Sequence, residues 1–129
     1  MNAGQAVGNA DQYSQKLAEI STQVELLNSI NDYMNQPDNR YQTLPSNVGL
    51  TDASATSLIN KYNEIVLQRN RLLRSASENS PTVTPLTSQL EDLSNSIRRA
   101  MSQARRNVEI QRNAISSQFN KYQGQIQST

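Results

Sequence analysis

The chain has no cysteine and no histidine. Without cysteine there are no disulfides and no thiol chemistry, and the redox compartment stays undecided. The two absences together exclude zinc sites of the usual ligand sets and the Ser-His and Cys-His nucleophile pairs. Tryptophan is missing as well, so one Phe and five Tyr are the whole aromatic complement. Apolar residues make up 35% of 129 positions. That is thin for a two-layer sheet domain, but enough for narrow stripes along helices. No apolar run nears the roughly 18 residues that span a bilayer, and no signal peptide is visible. Twelve basic residues against eleven acidic ones leave a net charge of +1, which argues against a polyanion-binding protein as a whole. No G-x-x-x-x-G-K-[ST] occurs, and the four scattered glycines make no phosphate cradle.

What is abundant is polar and uncharged: 16 Ser, 15 Asn and 14 Gln. The length suits one domain over 1–129, and the apolar residues fall into three helical stripes. The first runs Tyr13, Leu17, Ile20, Val24, Leu27 and Met34, with Asn31 at one expected position, and Leu26, Ile30 and Tyr33 widen it. This alternation of four and three is a heptad seam. It predicts a helix over about 10–36, stopped by Pro37. The loop PDNRYQTLPSNVGL, with two prolines and a glycine, is a true break. Thr51 or Asp52 then caps a second helix over about 52–76. Its stripe is Leu58, Tyr62, Ile65, Arg69 and Leu72, flanked by Ile59, Val66 and Leu73. A face that broad can meet two neighbours.

Two starts compete for the third helix: a Ser80 cap with Pro81 in the first turn, or a Thr84 cap with Pro85 there. Val83 continues the downstream stripe and favours the earlier start, giving a helix over about 81–127. Leu86, Ile97, Val108 and Phe119 lie eleven apart, as do Leu93, Ala104, Ile115 and Ile126. An eleven-residue repeat gives about 3.67 residues per turn, a nearly straight helix. Such a helix is roughly 60–70 Å long at about 1.5 Å per residue. The expectation is therefore all-α: an antiparallel helical hairpin, or three-helix coiled-coil-like bundle, with one very long C-terminal helix. Helices one and two, end to end, would form the broken ascending arm, and Ser75, Ala76, Ser77, Glu78, Asn79 and Ser80 would form the tip. A compact up-down-up bundle is the structural alternative.

The charged residues offer little chemistry. Glu91 and Asp92 are adjacent, so on a helix they point about 100° apart and read as a solvated pair in the favourable first half of the helix dipole. Arg69, Arg71 and Arg74 suit the C-terminal end of helix two for the same electrostatic reason, or serve a contact near the tip. Arg98, Arg99, Arg105, Arg106 and Arg112 cluster on helix three, three of them at spacings of seven. They read as a solvated, salt-bridged flank, with Arg105 and Arg112 near Glu109. The sharper alternatives are a subunit-contact strip meeting Glu19, Glu25 or Glu64 of a neighbour, or contact with an anionic polysaccharide. Nucleic acid is disfavoured, because no aromatic residues interleave with the arginines to stack bases. The tyrosines read as packing residues. No catalytic residue, metal or cofactor is expected.

One stretch carries a likeness. The turn PSNVGL at Pro45–Leu50, Asp52, Leu58-Ile59, Tyr62-Asn63, the run RNRLLRSA at Arg69–Ala76, and Glu78 to Pro81 before the long helix stand in this order. Residues 44–83 resemble the periplasmic segment of bacterial polysaccharide co-polymerases, the Wzz-like chain-length determinants, and above all the Bacteroidetes form fused to a tyrosine autokinase. Gln68 and Ala55 depart from the pattern, where an acid and a leucine are more usual. The resemblance implies an excised part of a longer inner-membrane protein, with the membrane reached only through flanking segments, and a periplasmic hairpin in ring-like homo-oligomers. It implies control of capsule or exopolysaccharide chain length and export. The partners would be sister subunits and a polymerase, an export pore or the growing glycan. A kinase cassette would lie elsewhere in the parent chain. The alternative is a helical-hairpin adaptor of an envelope export system, docking on an outer-membrane partner.

Overall fold

The computed structural model describes residues 3–46 and 48–128, with side chains from Ala10 to Gly124 apart from Asn47. Asn47 of the PSNVGL turn and the side chain of Ile126 lie outside the described residues. The described chain is all-helical and contains no strand. Helix α1 runs Ala3–Asn35, a short 3-10 turn Pro37–Asn39 follows, and α2 (Ala53–Leu72) and α3 (Thr84–Ser128) complete the order. The long C-terminal helix packs against the other two, and none of the three is long and apolar enough to cross a membrane.

The boundaries show where local chemistry prevails. Helix α1 begins several residues before the expected 10: residues 3–10 hold no proline, and alanines at 3, 6 and 10 offset Gly4 and Gly8. Pro37 ends it as expected, opening the 3-10 turn. Asp52 is the cap of α2: its Oδ2 accepts from the Ala55 N–H at 2.8 Å. Helix α2 stops at Leu72 rather than 76, since the Arg74 and Ser75 amides tighten to carbonyls three residues back. Helix α3 begins at Thr84, three residues later than the favoured start at 81. Ser80 does open a helical turn, with Thr84 N–H donating to its carbonyl at 3.1 Å and Thr82 N–H to its Oγ at 3.3 Å. The next bond in that ladder would need an N–H from Pro85, which has none. Regular helix therefore counts from one turn further on.

The chain divides into two units. One pairs α1 up to Glu25 with α3 from Arg105 onward. There Ala10 and Ile20 are buried, and the Tyr13 and Tyr122 rings stack at 5.4 Å between centroids and 26° between planes. An offset stack of this kind contributes about 0.5–1.5 kcal/mol beyond its area.

The other unit, Leu26–Ala104, holds most of the buried side chains. Val83, just before α3, and Leu90, Ile97 and Ala104 on it are buried at intervals of seven, with Met101 beside them. On α2 the buried row is Ala55, Ile59, Tyr62, Val66 and Arg69. Two heptad rows thus meet, and in this unit the eleven-residue repeat of α3 does not set which residues are buried. The seam of α2 is also rotated from expectation: Leu58, Ile65 and Leu72 are only half-buried, while Ala55 is fully enclosed. A leucine at 55 would have no room, so the small residue belongs to this packing.

Contacts along α3 give the direction of the other elements. Met34 and Asn35 meet Arg98, Arg40 and Tyr41 meet Glu91, and Arg69 meets Thr87. On α1, Tyr13 meets Tyr122 and Met34 meets Arg98; on α2, Tyr62 lines a cleft with Arg98 and Arg69 meets Thr87, so both helices run antiparallel to α3. Helix α1 up to Glu25 serves the C-terminal part of α3 and α2 its N-terminal part, as a broken arm requires, but the two do not meet strictly end to end: the last turns of α1 lie beside the first turns of α2, where Ile30 and Ile59 line one cavity. Because the end of α1 lies beside the start of α2 and the two run the same way, their connection must return. Residues 36–52 supply it as a strap: it climbs to Tyr41, turns, and descends α2 past Asn63 to Thr56 and Asn60.

Truncating Leu90 or Ile97 to Ala should cost about 2–5 kcal/mol, while Leu67→Ala, at a side chain 52% exposed, should stay within about 0.5 kcal/mol. Urea denaturation of the three variants measures both.

Candidate functional site

The functional candidates gather where the strap turns. Tyr41 stands in the left-handed region at φ 60°, which costs a non-glycine residue about 1–2 kcal/mol. Its side chain explains why it stays there. The phenol O–H donates to Glu91 Oε1 at 2.8 Å, and the guanidiniums of Arg69 and Arg40 lie over its ring at 4.5 and 4.9 Å. Arg40 also reaches Glu91 at 3.4 Å, an exposed pair worth little alone.

Arg69 is the one charged side chain among the buried residues described, 6% exposed. Its Nε donates to Thr87 Oγ1 at 2.9 Å, and Thr87 Oγ1 in turn faces the Val83 carbonyl at 3.4 Å. A terminal nitrogen lies 4.0 Å from Glu78 of the tip. That carboxylate is 77% exposed and contributes only weakly. The Tyr41 ring, on a desolvated cation, is the larger compensation, about 2 kcal/mol in such settings. Arg69 therefore joins α2, the strap, the tip and α3. Of the two readings of Arg69, a cation for the helix end or a contact near the tip, the second is the one seen: its place on the α2 stripe turns it inward and toward Glu78, while Arg71 and Arg74 remain exposed near the end of α2.

The strap is held at further points by side-chain amides. Asn63 accepts from Leu44 N–H at 2.7 Å and donates to Leu44 C=O at 3.0 Å, pairing both backbone polar groups of that residue. Asn39 donates to the Tyr33 carbonyl at 3.0 Å, and the Tyr33 O–H to the Thr43 carbonyl at 3.2 Å. Gly49, at φ 94° with nothing within 4 Å of an added Cβ, is required by backbone conformation rather than by space.

Below the Tyr41 turn lies a half-open cleft of about 450 Å³. Its floor is Leu44, Tyr62 and Leu90, and its rim carries Asn35, Arg40, Glu91, Ser94, Asn95 and Arg98. Burial raises the Tyr62 phenol above its ordinary value of 10.0. Tyr41 is raised too, first by burial and then by its bond to the Glu91 carboxylate, with Arg40 opposing.

The arginines expected to form one strip have different surroundings. Arg98 turns onto the end of α1, donating to Asn35 Oδ1 and, at 3.4 Å, to the Met34 carbonyl. A cation on the last carbonyls of a helix is favourable for its dipole. Arg99 is exposed and reaches Ser96 Oγ at 3.2 Å. Arg105, Arg106 and Arg112 are exposed residues of the other unit. At the tip, Ser75, Ser77, Glu78 and Asn79 are exposed, whereas Ala76 and Ser80 are half-buried. The reading of Glu91 as merely solvated missed its role in holding Tyr41. The available signal was an Arg-Tyr pair inside a polar loop, an aromatic with no stripe to join.

No family model matches the chain, and no curated protein or solved structure matches it.

Asn63→Ala should cost about 1–3 kcal/mol, because it strands two peptide groups of the strap that are partly out of water; thermal or urea melts check this. Alkaline pH should also act on the strap. A phenol whose folded pKa is raised contributes stability that is fully present below its ordinary 10.0 and is lost as pH rises through the raised value. Stability should be flat through neutral pH and fall above about 10, with Tyr41→Phe removing part of the fall in an alkaline titration followed by tyrosinate absorbance and circular dichroism.

Proposed function

We propose that this chain is the helical, non-catalytic segment of a polysaccharide chain-length regulator, of the type fused to a tyrosine autokinase, and that it acts by shape. It would stand in the periplasm as part of a bacterial inner-membrane protein and pack with sister subunits, where the polymerase, the export pore or the growing glycan is engaged.

The observation that supports the reading is the fate of the residues that carry the likeness. Although several of them are exposed, others hold the local fold. Asp52 caps α2, Tyr62 is buried, Asn63 pins the strap, and Arg69 ties strap, tip and α3 together. Glu78 meets Arg69, and Gly49 supplies the left-handed return of the strap. A set of residues that jointly specify one local scaffold is what a shared architecture would retain. An architectural role also suits a surface of Ser, Asn and Gln, which gives little non-specific attraction and leaves shape to select partners.

The parent reading frame should encode a membrane helix on each side of this segment. In cells that depend on the parent gene, replacing 69–83 with a short glycine-serine linker should shift the length distribution of the surface polysaccharide on a gel. A frame without flanking membrane helices, or an unchanged distribution with the variant present at normal level, would contradict the proposal.

A further inference from the structure

We infer that the cleft beneath the Tyr41 turn is a binding site for a short acidic saccharide, one whose sugar rings carry a carboxylate of the uronic-acid kind. The inference deepens the architectural reading by giving a glycan a place on the scaffold, and in that sense rests on it, but the chemistry of the lining is what selects the ligand.

Ligand pockets commonly measure about 300–1,000 Å³ and are mostly apolar. This one, at about 450 Å³, is within that size but unusual in its rim. The buried apolar floor is Leu44, Tyr62 and Leu90, and Met34 and Pro37 add apolar surface at the side. The C–H face of a sugar ring can rest on such a floor. Around it stand neutral hydrogen-bonding groups from two directions: Asn35 from the end of α1, and Ser94 and Asn95 one turn along α3 from Glu91 and Arg98. Carboxamides both donate and accept, which is what a ring of hydroxyls requires. The charges set the sign of the ligand. Arg40 and Glu91 offset each other at 3.4 Å, and Arg98 leaves the rim with an excess of one positive charge. Arg98 uses two donors on Asn35 and Met34, and a guanidinium has five. One carboxylate on the ligand would complete the balance.

Other ligand classes fit less well. A nucleotide would seek an aromatic face for its base, but two guanidiniums already lie over the Tyr41 ring. A peptide in extended form would need a strand edge to pair with, and the walls are helices and the strap. A lipid tail would need more than the small apolar floor.

The test is titration of the full 129-residue chain with trigalacturonate, followed by backbone amide shifts, with maltotriose and inorganic phosphate as comparators. Shifts should concentrate at Asn35, Tyr41, Ser94 and Arg98. Trigalacturonate should bind at least about ten-fold tighter than maltotriose, the value of one charge-assisted bond. Ser94→Leu, which fills the cleft from a helix that tolerates leucine, should weaken it by about ten-fold or more with an unchanged circular dichroism spectrum and melting temperature. Gln68→Leu, on the exposed side of α2, should change nothing. Four results would overturn the inference: no localised shifts, shifts gathered at Arg105, Arg106 and Arg112 instead, equal shifts with phosphate, or undiminished binding by a folded Ser94→Leu protein. None of these bears on flanking membrane helices or on polysaccharide length in cells, so binding and the architectural reading stand or fall separately.

Discussion

A guanidinium enclosed between a loop and two helices is the constraint on which the Leu26–Ala104 unit depends. Taking Arg69 out of water is expensive, and a charge so placed persists only where the surroundings answer it. Here the answer comes from three directions: the Tyr41 ring, the Thr87 hydroxyl and, more weakly, Glu78. Each belongs to a different segment. The Tyr41 backbone is strained at the same point, and the turn is held by the ring on the cation together with the bond of its hydroxyl to Glu91. Remove the charge, and the strained turn loses its purpose while the hydrophobic seam survives.

That division of labour explains how a chain so poor in large apolar residues folds into a specific shape. The heptad rows of α2 and α3 supply the attraction, with Val66, Val83, Leu90 and Ile97 almost fully enclosed. Apolar rows alone leave register and connection underdetermined. Polar side chains resolve them. Asn63 pairs both backbone groups of Leu44, Asn39 ties the 3-10 turn to the end of α1, and Arg98 covers the last carbonyls of α1. The high content of Asn is thus partly structural. The cleft follows from the same geometry, since a strap that leaves α1, reaches across to Glu91 and returns down α2 encloses space beneath its turning point.

The helices were legible in the sequence because their signals are local. Pro37 stops a helix by chemistry, Asp52 caps one, and stripes of four and three persist over several turns. The tip between α2 and α3 was legible for the same reason. The phase of α2 was not. Leu58, Ile65 and Leu72 are larger than Ala55, and a reading by hydrophobicity gives the larger residues the centre. The real centre needed a small residue where helices approach closely. Nor was the eleven-residue repeat decisive, because burial along α3 depends on which face its neighbour presents. The path of the strap was invisible, as it rests on pairings such as Leu44 with Asn63 and Tyr41 with Arg69 that no periodicity announces. The resemblance named several of these residues without saying what they touch, and the cleft between Asn35, Glu91 and Arg98 joins positions more than fifty residues apart.

The central claim is that the buried cation, rather than the apolar seam, orders the strap and the tip. Arg69→Met separates the two, since methionine keeps much of the volume and the seam while removing the charge. Native-state hydrogen exchange should then show the Leu44, Gln42 and Ser80 amides losing protection together, with amides around Leu90 and Ile97 little changed. If protection in the strap and tip survives the substitution, or is lost only in step with the whole unit, the seam is the organiser and the account is wrong.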